Sequence, residues 1–120
     1  MTYFAVIREA GPRWDPEKPM REQPTWNEHA AFMDGLADEG FIVFGGPLAE
    51  SDKGRVRALL IMNAASETEI RRRLDDDPWT PLDMLTITSV EPWEILLAPE
   101  RLAAARRDVR RPRRRAGDSR

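Results

Sequence analysis

Cysteine is absent from the 120-residue sequence, and histidine occurs once. The lack of cysteine excludes disulfides, thiolate-bound metals and thiol nucleophiles. With one imidazole and no thiol, we expect neither a metal site nor a cofactor. No apolar run approaches the length of about 20 residues that a membrane helix needs. The first residues lack the basic, apolar and cleavage regions of a signal peptide, so we predict a cytoplasmic protein.

Charge is distributed unevenly along the chain. Residues 1–100 contain 10 basic and 19 acidic side chains, whereas residues 101–120 contain nine arginines and two aspartates. The two parts therefore carry −9 and +7, although the whole chain sums to −2. A chain of this length forms one domain with a modest core. We predict a domain over residues 1–98 and a separate arginine-rich extension over residues 99–120.

Short segments rich in β-branched and aromatic residues indicate four strands. They are predicted at Tyr3–Ile7, Phe41–Phe44, Val56–Met62 and Met84–Val90, with Trp93–Leu97 as an edge or extension strand after Pro92. Gly45-Gly46-Pro47 is expected to close the second strand, and residues 50–54 to form a hairpin connection. With two helices interposed, the order is β-α-β-β-α-β. This order predicts an α+β protein with the antiparallel sheet of a ferredoxin-like fold.

The first helix is predicted between Thr25 and Gly40. Thr25 and Glu28 have the spacing of a capping box, and Gly40 supplies a left-handed residue that can end a helix. Asp34 and the other acidic positions are expected to face solvent. The opposite face is apolar apart from the histidine, at Trp26, His29, Ala30, Met33, Leu36 and Ala37. The helix therefore directs its histidine at whatever it packs against.

The second helix is predicted to start at Ser66, because Ser66 and Glu69 repeat the capping-box spacing. Ile70 and Leu74 form its buried face. The helix is expected to stop before Pro78, since a residue that precedes proline is pushed out of the helical region.

The segment 9–24 joins the first strand to the first helix. Its prolines and Gly11 exclude regular structure and predict a stiff, extended loop. We expect the loop to lie over the surface with Trp14 as its anchor. A lid over a binding site is the alternative, because long loops without structure of their own often have that role.

The strands predict how the protein assembles. FAVI, FIVF and ALLI are apolar at successive positions, whereas a sheet with one wet face would alternate with polar residues. Helices cover one face, so the other face must meet something else. A homodimer with the two sheets packed face to face is the simplest solution, since it covers a large apolar patch.

Four features together resemble the YCII-related family, whose small proteins belong to the dimeric α/β-barrel superfamily. They are the strand YFAVI, His29 in the first helix, the Gly40…Gly46-Pro47-Leu48 stretch, and Asp77-Pro78-Trp79 after the second helix. The resemblance covers most of residues 3–97. It implies a dimeric α/β barrel and a His–Asp pair in a cleft beside the sheet, here His29 and Asp77. More distant relatives implied by it include muconolactone isomerases and a dehydrochlorinase of chlorinated hydroquinones.

His29 is the candidate catalytic residue, because its side chain alone has an unperturbed pKa near neutrality. A partly buried histidine bonded to a backbone carbonyl is the structural alternative. Asp77 is the candidate partner: Pro78 restricts its backbone, whereas Asp75 and Asp76 suit a solvated helix end. A carboxylate beside an imidazole fixes its tautomer and stabilises its protonated form.

Substrate contacts are predicted from the aromatic residues and from one arginine. Trp26 and Trp79 lie near His29 and Asp77 in sequence and could line a pocket, as could Trp93, although core packing is the alternative for each. Arg8, at the end of the first strand, could hold an anionic group or form a surface salt bridge.

Three functions are consistent with these observations. The first is an enzyme that uses His29 and Asp77 for cofactor-free acid/base chemistry on a small cyclic or carbonyl-bearing molecule, by isomerisation, elimination or hydrolysis. The second is a dimeric module that binds a small ligand or serves as an accessory protein without catalysis. The third is binding of anions or nucleic acid by the arginine-rich tail, which we do not favour because the acidic body would repel nucleic acid.

Overall fold

The structure, a computed structural model, describes residues 2–49, 51 and 56–102. Its elements are β1 (Thr2–Ala10), α1 (Trp26–Asp38), β2 (Ile42–Pro47), β3 (Arg57–Ala64), α2 (Glu67–Leu74) and β4 (Leu85–Pro92). A short 3-10 helix, Met20–Glu22, lies between β1 and α1. The chain order β-α-β-β-α-β is the one predicted from the sequence.

The four strands form one antiparallel sheet in the order β2-β3-β1-β4. This order is that of a ferredoxin-like fold, so the predicted α+β class is confirmed. In the central strand β1, the buried side chains are Phe4, Val6 and Arg8, with half-buried residues between them. Since side chains of a strand alternate between faces, these three point to the helices. The face that buries the core therefore also receives a charged residue.

The core lies between the helices and this face of the sheet. It contains side chains from all four strands and both helices, with Ile87 and Val90 of β4 packed at its margin. Its buried members are Phe4, Val6, Leu36, Phe41, Ile42, Leu60, Met62, Ala64, Ile70 and Leu74. Burial of each such aliphatic or aromatic side chain stabilises the fold by roughly 1.5–3 kcal/mol. Packing on this scale fixes where the two helices present their polar residues.

The start of α1 differs from the prediction. Thr25 has φ 63°, in the left-handed region, and its side chain makes no capping hydrogen bond, so the predicted Thr25–Glu28 capping box is wrong. The end of α1 is as expected. Gly40 has φ 81°, and the N–H groups of Gly40 and Phe41 donate to the carbonyls of Ala37 and Leu36. These two bonds form a Schellman motif, which ends the helix.

The start of α2 is as predicted. Ser66 has an extended backbone, and its Oγ accepts a hydrogen bond from the Glu69 N–H at 3.2 Å. The Glu69 carboxylate accepts from the N–H of Ala65 at 2.8 Å, one residue earlier than in the ideal box. Ile70 and Leu74 are buried, as expected. The helix ends at Leu74, four residues before Pro78, and hydrogen-bonded turns continue from there to Asp77.

Two strand predictions are wrong in extent. Gly45-Gly46-Pro47 does not close β2 but belongs to it, because β2 is an edge strand and proline at an edge costs no ladder hydrogen bond. Trp93–Leu97 is not a strand. Phe4 of β1 pairs with Pro92 and the Trp93 N–H donates to the Tyr3 carbonyl. Residues after Trp93 therefore have almost no length of β1 left to pair with.

The loop before α1 is shorter and more ordered than predicted, since β1 continues to Ala10 and a 3-10 helix follows. Trp14 is buried and contacts the Trp79 ring. Gln23 is buried, and its amide donates to the carbonyls of Asp15 and Lys18 while its Oε1 accepts from the Asp15 N–H. One side-chain amide thus satisfies three backbone groups that a loop without regular structure leaves open.

The second face of the sheet is partly apolar. Phe44 is exposed, Ala5, Ile7 and Leu59 are half-buried, and Ile61 is buried. The homodimer that would cover this face stays a prediction. Within the described ranges, no helix combines the length and apolarity needed to cross a membrane. The arginine-rich tail from residue 103 onwards and most of the predicted hairpin at 50–54 lie outside the described residues.

Candidate active site

Three chain segments bring polar side chains together beneath α1, and Asp77 is at their centre. Asp77 is 1% exposed. Its Oδ2 accepts a hydrogen bond from Arg8 Nη1 at 2.9 Å, and its Oδ1 accepts from the Trp79 N–H at 2.8 Å. His29 Nδ1 lies 2.9 Å from both carboxylate oxygens. A buried carboxyl group is thus contacted by β1, by α1 and by its own turn.

These contacts decide the charge of Asp77. Burial by itself raises the pKa of a carboxyl group, but the hydrogen bond and charge of His29, the Trp79 N–H and the charge of Arg8 together lower the pKa of Asp77 below its usual value. Asp77 is therefore ionised at neutral pH. An ionised carboxylate only accepts hydrogen bonds, so Nδ1 of His29 must carry the proton that lies between them. In the neutral ring, Nε2 then holds the free lone pair.

The local sequence explains why the three side chains converge. Arg8 continues the alternation of Phe4 and Val6, which places it on the helix-covered face of β1. His29 lies in the first turn of α1, on the stripe that packs against the sheet. Asp77 follows α2 in a turn whose N–H and C=O groups bond to Leu74 and Thr80. The geometry thus depends on the packing of both helices on the sheet.

Trp79 covers one side of the imidazole. The rings of His29 and Trp79 are stacked, with centroids 3.8 Å apart and planes inclined by 9°. Trp79 is 1% exposed, and its Nε1–H donates to the Pro24 carbonyl at 2.7 Å. The indole is fixed at both ends, because its backbone N–H also bonds to Asp77. This stacking, together with the Asp77 contact, holds the imidazole plane in one orientation.

Two further tryptophans surround Trp79. The Trp14 ring meets it edge to face, with centroids 5.5 Å apart. The half-buried Trp26 ring lies 5.7 Å from Trp79 and 5.6 Å from His29, measured between centroids. Aromatic pairs at these separations and angles are favourable. The loop before α1 is therefore packed directly onto the residues that position His29.

A cavity of about 520 Å³ adjoins this cluster. Arg8, His29, Trp26 and Trp79 contribute to its lining, together with Met20 and Arg21 of the 3-10 helix, several residues of α1 and the strand β2. Its volume is in the range of small-molecule sites. Gly45, in β2, also lines it, and a Cβ there would lie 2.6 Å from Leu60 Cδ2 and 2.9 Å from the Leu59 carbonyl oxygen. Glycine at this position allows β2 to approach β3.

Five of the six residues considered for the site from the sequence lie in this region. His29, Asp77 and Arg8 are in contact, Trp79 stacks on His29, and Trp26 borders the cavity. The alternative of a surface salt bridge for Arg8 is wrong, since its side chain is 3% exposed. Trp93 is 45% exposed and is not among the cavity residues. Their roles in substrate binding or catalysis stay predictions.

Other cavity residues were not identified from the sequence. Asp34 was expected to face solvent, but it is 8% exposed and lines the cavity. Met33 is on the predicted apolar stripe, and its Sδ lies 3.9 Å from Arg8 Nη1. Arg21 reaches the cavity through tertiary packing, which no local pattern reports. Within the described parts of the chain, no group of three or more His, Cys, Asp or Glu side chains could hold a metal ion.

The fold and these side chains define an α+β protein with an internal Arg–Asp–His cluster beside a cavity. The sequence matches the family described as YCII-related domain over residues 2–94, and the chain therefore belongs to the YCII-related family. A solved structure similar to it is 5-chloro-2-hydroxyhydroquinone dehydrochlorinase from Burkholderia phenoliruptrix AC1100 in complex with 2,5-dihydroxybenzoquinone. That chain is 21% identical, the alignment covers 82% of this chain and 97% of that one, and the TM-score is 0.48. Among curated proteins, none matches the chain.

Proposed function

We propose that this protein is an enzyme that performs cofactor-free acid/base chemistry on a small cyclic or carbonyl-bearing molecule. The observation that carries the proposal is the contact of His29 Nδ1 with an ionised, buried Asp77 at 2.9 Å, in a histidine that lines a cavity. A fixed tautomer leaves Nε2 as the base. Isomerisation, elimination and hydrolysis are the reactions that such a site can support.

The proposed first step is the transfer of a proton to Nε2 of His29, from the substrate in isomerisation or elimination and from the attacking water in hydrolysis. In the first two reactions the electron pair of the broken C–H bond moves into the adjacent carbonyl or ring system. In hydrolysis the electron pair of the O–H bond stays on the water oxygen, which attacks the substrate. Asp77 stabilises the imidazolium that forms, as an orienting carboxylate does in other acid/base sites. The imidazolium then returns the proton to another substrate atom or to a leaving group. Isomerisation and elimination then balance without another reagent, and hydrolysis consumes the one water molecule that attacks.

Trp26 and Trp79 have different parts in this proposal. Both border the cavity, but half-buried Trp26 offers a flat, apolar wall that suits a ring, whereas Trp79 is 1% exposed and acts through its stacking on His29. Stacking on Trp79 at 3.8 Å keeps the imidazole in the plane that Asp77 also requires. A substrate placed against Trp26 would therefore meet Nε2 in a reproducible orientation, which lowers the entropic cost of proton transfer. Arg8 is the other proposed substrate contact.

Proton exchange with solvent tests the enzyme proposal. A panel of cyclic ketones, enones, lactones and ring halides would be incubated in D₂O, and the loss of substrate C–H signals followed by ¹H NMR. We expect His29→Gln to slow the exchange of an accepted substrate by about 10²–10⁴-fold. Asp77→Asn should also slow it, whereas Asp75→Asn, which changes an exposed carboxylate of the same acidic run that does not line the cavity, should not. Equal rates in wild type and His29→Gln would refute the mechanism.

The tautomer of His29 provides a second test that needs no substrate. The ¹⁵N chemical shifts of a ring nitrogen depend on whether it carries a proton, and a single histidine makes the assignment unambiguous. We expect the neutral ring to be protonated at Nδ1 in the wild type and to lose this preference in Asp77→Ala. If the protein bound members of the panel but exchanged none of their protons, this result would instead favour a ligand-binding module.

We also propose that two copies pair through the second face of the sheet. Exposed Phe44 and half-buried Ile7 and Leu59 on that face support the proposal, because apolar area left in water favours association. Ile7→Lys should yield a monomer in light scattering, while Thr68→Lys, exposed on α2, should leave the mass unchanged. A monomeric wild type would contradict it.

A further inference from the structure

Arg8 is bonded on one side of its guanidinium. Its Nη1 donates to Asp77 Oδ2 at 2.9 Å and lies 3.9 Å from the Met33 Sδ. Its Nε is buried and has no hydrogen-bond partner among the residues that the structure describes. Buried polar groups are nearly always bonded, because an unpaired one costs about 1–3 kcal/mol. An unpaired donor on a charged group next to a cavity therefore indicates a missing acceptor.

The geometry of a guanidinium separates this donor from the one that Asp77 uses. Nη1 lies on the Cδ side, whereas Nε–H and an Nη2–H point in parallel along the opposite edge. This edge is one of the two that bind a carboxylate or another anionic oxygen through paired hydrogen bonds. Arg8 can therefore keep Asp77 in place and accept a second anion on the Nε edge.

The surroundings allow an acceptor to approach that edge. Arg8 lines the 520 Å³ cavity, and so does half-buried Met33. Methionine is unbranched and flexible, so its side chain can move aside for a ligand at small cost. The single negative charge of Asp77 is shared between Arg8 and the His29 imidazole. When the ring is protonated, the cluster carries a net positive charge that an anion would balance.

Two other charged residues line the same cavity and have to be distinguished from Arg8. Arg21 is exposed on the 3-10 helix, where solvent and salt screen its charge. Asp34 is buried and already interacts within the protein. Neither offers a desolvated positive charge. Of these three charged residues, Arg8 is therefore the one that can bind an anionic oxygen through both its charge and its paired hydrogen bonds.

We propose that the cavity selects a planar ring that carries an anionic oxygen, as carboxylate or phenolate, and that this oxygen binds the Nε edge of Arg8 while the ring lies against Trp26. This inference rests on the proposed function, because it assigns the substrate class of the same site. Arg8 would then have two roles, as the cation beside Asp77 and as the specificity-determining residue for the substrate.

Matched ligands test the charge preference in the wild-type protein. Benzoate would be compared with benzamide, and 2,4-dinitrophenolate with 1,3-dinitrobenzene, by NMR titration of the His29 ring signals, which report binding at this cavity. We expect each anion to bind at least about tenfold more tightly than its neutral partner, in line with a charge-assisted hydrogen bond. The tighter anion of the two identifies which oxygen the site prefers. Equal affinities within both pairs would overturn the proposal.

Variants then assign the preference to Arg8. Arg8→Lys keeps a cation beside Asp77 and removes the planar Nε edge, so it should reduce the anion preference to below about threefold and leave benzamide binding unchanged. Arg21→Gln is the matched control at the rim and should change the preference by less than about threefold. A full preference that persists in Arg8→Lys, or its loss in Arg21→Gln, would assign the anion to another residue and refute the proposal.

Direct observation of the Nε–H group covers the case in which Arg8→Lys does not fold. In a ¹⁵N-arginine sample, the buried Arg8 Nε–H should exchange slowly with water and give a distinct cross-peak. The preferred anion should move its proton resonance downfield, as a new charged acceptor does, and the neutral partner should not. An unmoved resonance at saturating anion would overturn the proposal. Turnover by His29 would be unaffected by that result, so the two proposals fail separately.

Discussion

The two helices begin with the same sequence pattern, a hydroxyl residue followed three positions later by glutamate, yet their first turns differ. At α2, Ser66 is extended and its Oγ bonds to the Glu69 N–H at 3.2 Å. At α1, Thr25 has φ 63° and no side-chain cap. A β-branched residue in the left-handed region is strained by roughly 1–2 kcal/mol. The local sequence pattern therefore determines the structure at the start of α2 but not at the start of α1.

The difference follows from what each helix start contacts. The start of α2 is exposed, and its ion pair between Arg71 and Glu67 at 2.8 Å is also in solvent. The start of α1 is tied to the site, because the Pro24 carbonyl accepts from Trp79 Nε1–H and Trp26 borders the cavity. Tertiary contacts around His29 determine the entry angle of the chain. Strain at Thr25 is the cost of that placement.

Of the substitutions that test this contrast between buried and exposed surroundings, removal of Asp77 should have the largest effect on the free energy of unfolding. Asp77→Ala leaves the Arg8 guanidinium, the Trp79 N–H and Nδ1 of His29 without their acceptor inside the protein. We expect the free energy of unfolding to fall by about 3–5 kcal/mol, as when one partner of a buried ion pair is lost. Urea denaturation followed by far-UV circular dichroism measures it. Asp75→Ala, exposed in the same run, should change stability by less than about 0.5 kcal/mol, and an equal loss there would contradict the burial argument.

Acid pH should reveal the same carboxylate. The pKa of Asp77 is lower in the folded protein than the 3.8 of an unperturbed carboxyl group, despite the opposing effect of burial. The unfolded chain therefore binds a proton first as pH falls, so the stabilisation is present above pH 3.8 and is lost as pH drops through the folded pKa. Unfolding free energies of wild type and Asp77→Asn should diverge above this window and converge below it. A difference that is constant across the window would argue against a depressed pKa.

Removal of the working cap should have an intermediate effect. Ser66→Ala deletes the acceptor of the Glu69 N–H, and we expect a loss of about 1 kcal/mol in unfolding free energy. Thermal and urea denaturation measure the change. Thr25→Ser keeps a hydroxyl at the corresponding position of α1 and should leave stability almost unchanged, because no cap is formed there. A loss in Thr25→Ser equal to that in Ser66→Ala would contradict the contrast between the two helix starts.

The smallest effect should have the opposite sign. Thr25→Gly removes the steric penalty at φ 63°, and we expect a net gain of up to about 1 kcal/mol, reduced by the greater freedom of glycine in the unfolded chain. Thr68→Gly, in an exposed turn of α2, should instead cost about 1 kcal/mol. A loss in both variants would show that the Thr25 backbone is not strained.

Much of the fold was predictable because its signals are local or periodic. Short runs of β-branched and aromatic residues located the strands, and Gly40 and Ser66 set two helix boundaries by their own backbone or side-chain chemistry. Gly45-Gly46-Pro47 was misassigned because a turn and an edge strand accept the same residues. Whether a strand lies at the edge depends on the strand order of the whole sheet, and the sequence of the segment alone does not determine that order.

The site residues could be predicted where the residue type is rare in the chain, and were missed where tertiary packing determines which side chains line the cavity. His29 is the one imidazole of the chain, and the family resemblance gave Asp77 as its partner. Arg8 continues the alternation of Phe4 and Val6, which predicts its burial, but the predicted strand Tyr3–Ile7 stops one residue before it. Asp34 is a polar residue on an amphipathic helix, and it is buried by tertiary packing around the cavity that it lines. Tertiary packing of this kind produces no periodic pattern in the sequence.

The Arg8–Asp77 pair also bears on how the chain avoids misfolding. Arg8 stands opposite Ala58 of β3 in the observed register. A slip of β1 by one residue would turn every side chain to the other face, which would separate the guanidinium from Asp77 and leave a buried carboxylate uncompensated. Neighbouring apolar residues on β1 could tolerate that slip, since both faces carry similar side chains. One internal charge thus penalises the competing alignment and gives the folding landscape a single favoured minimum.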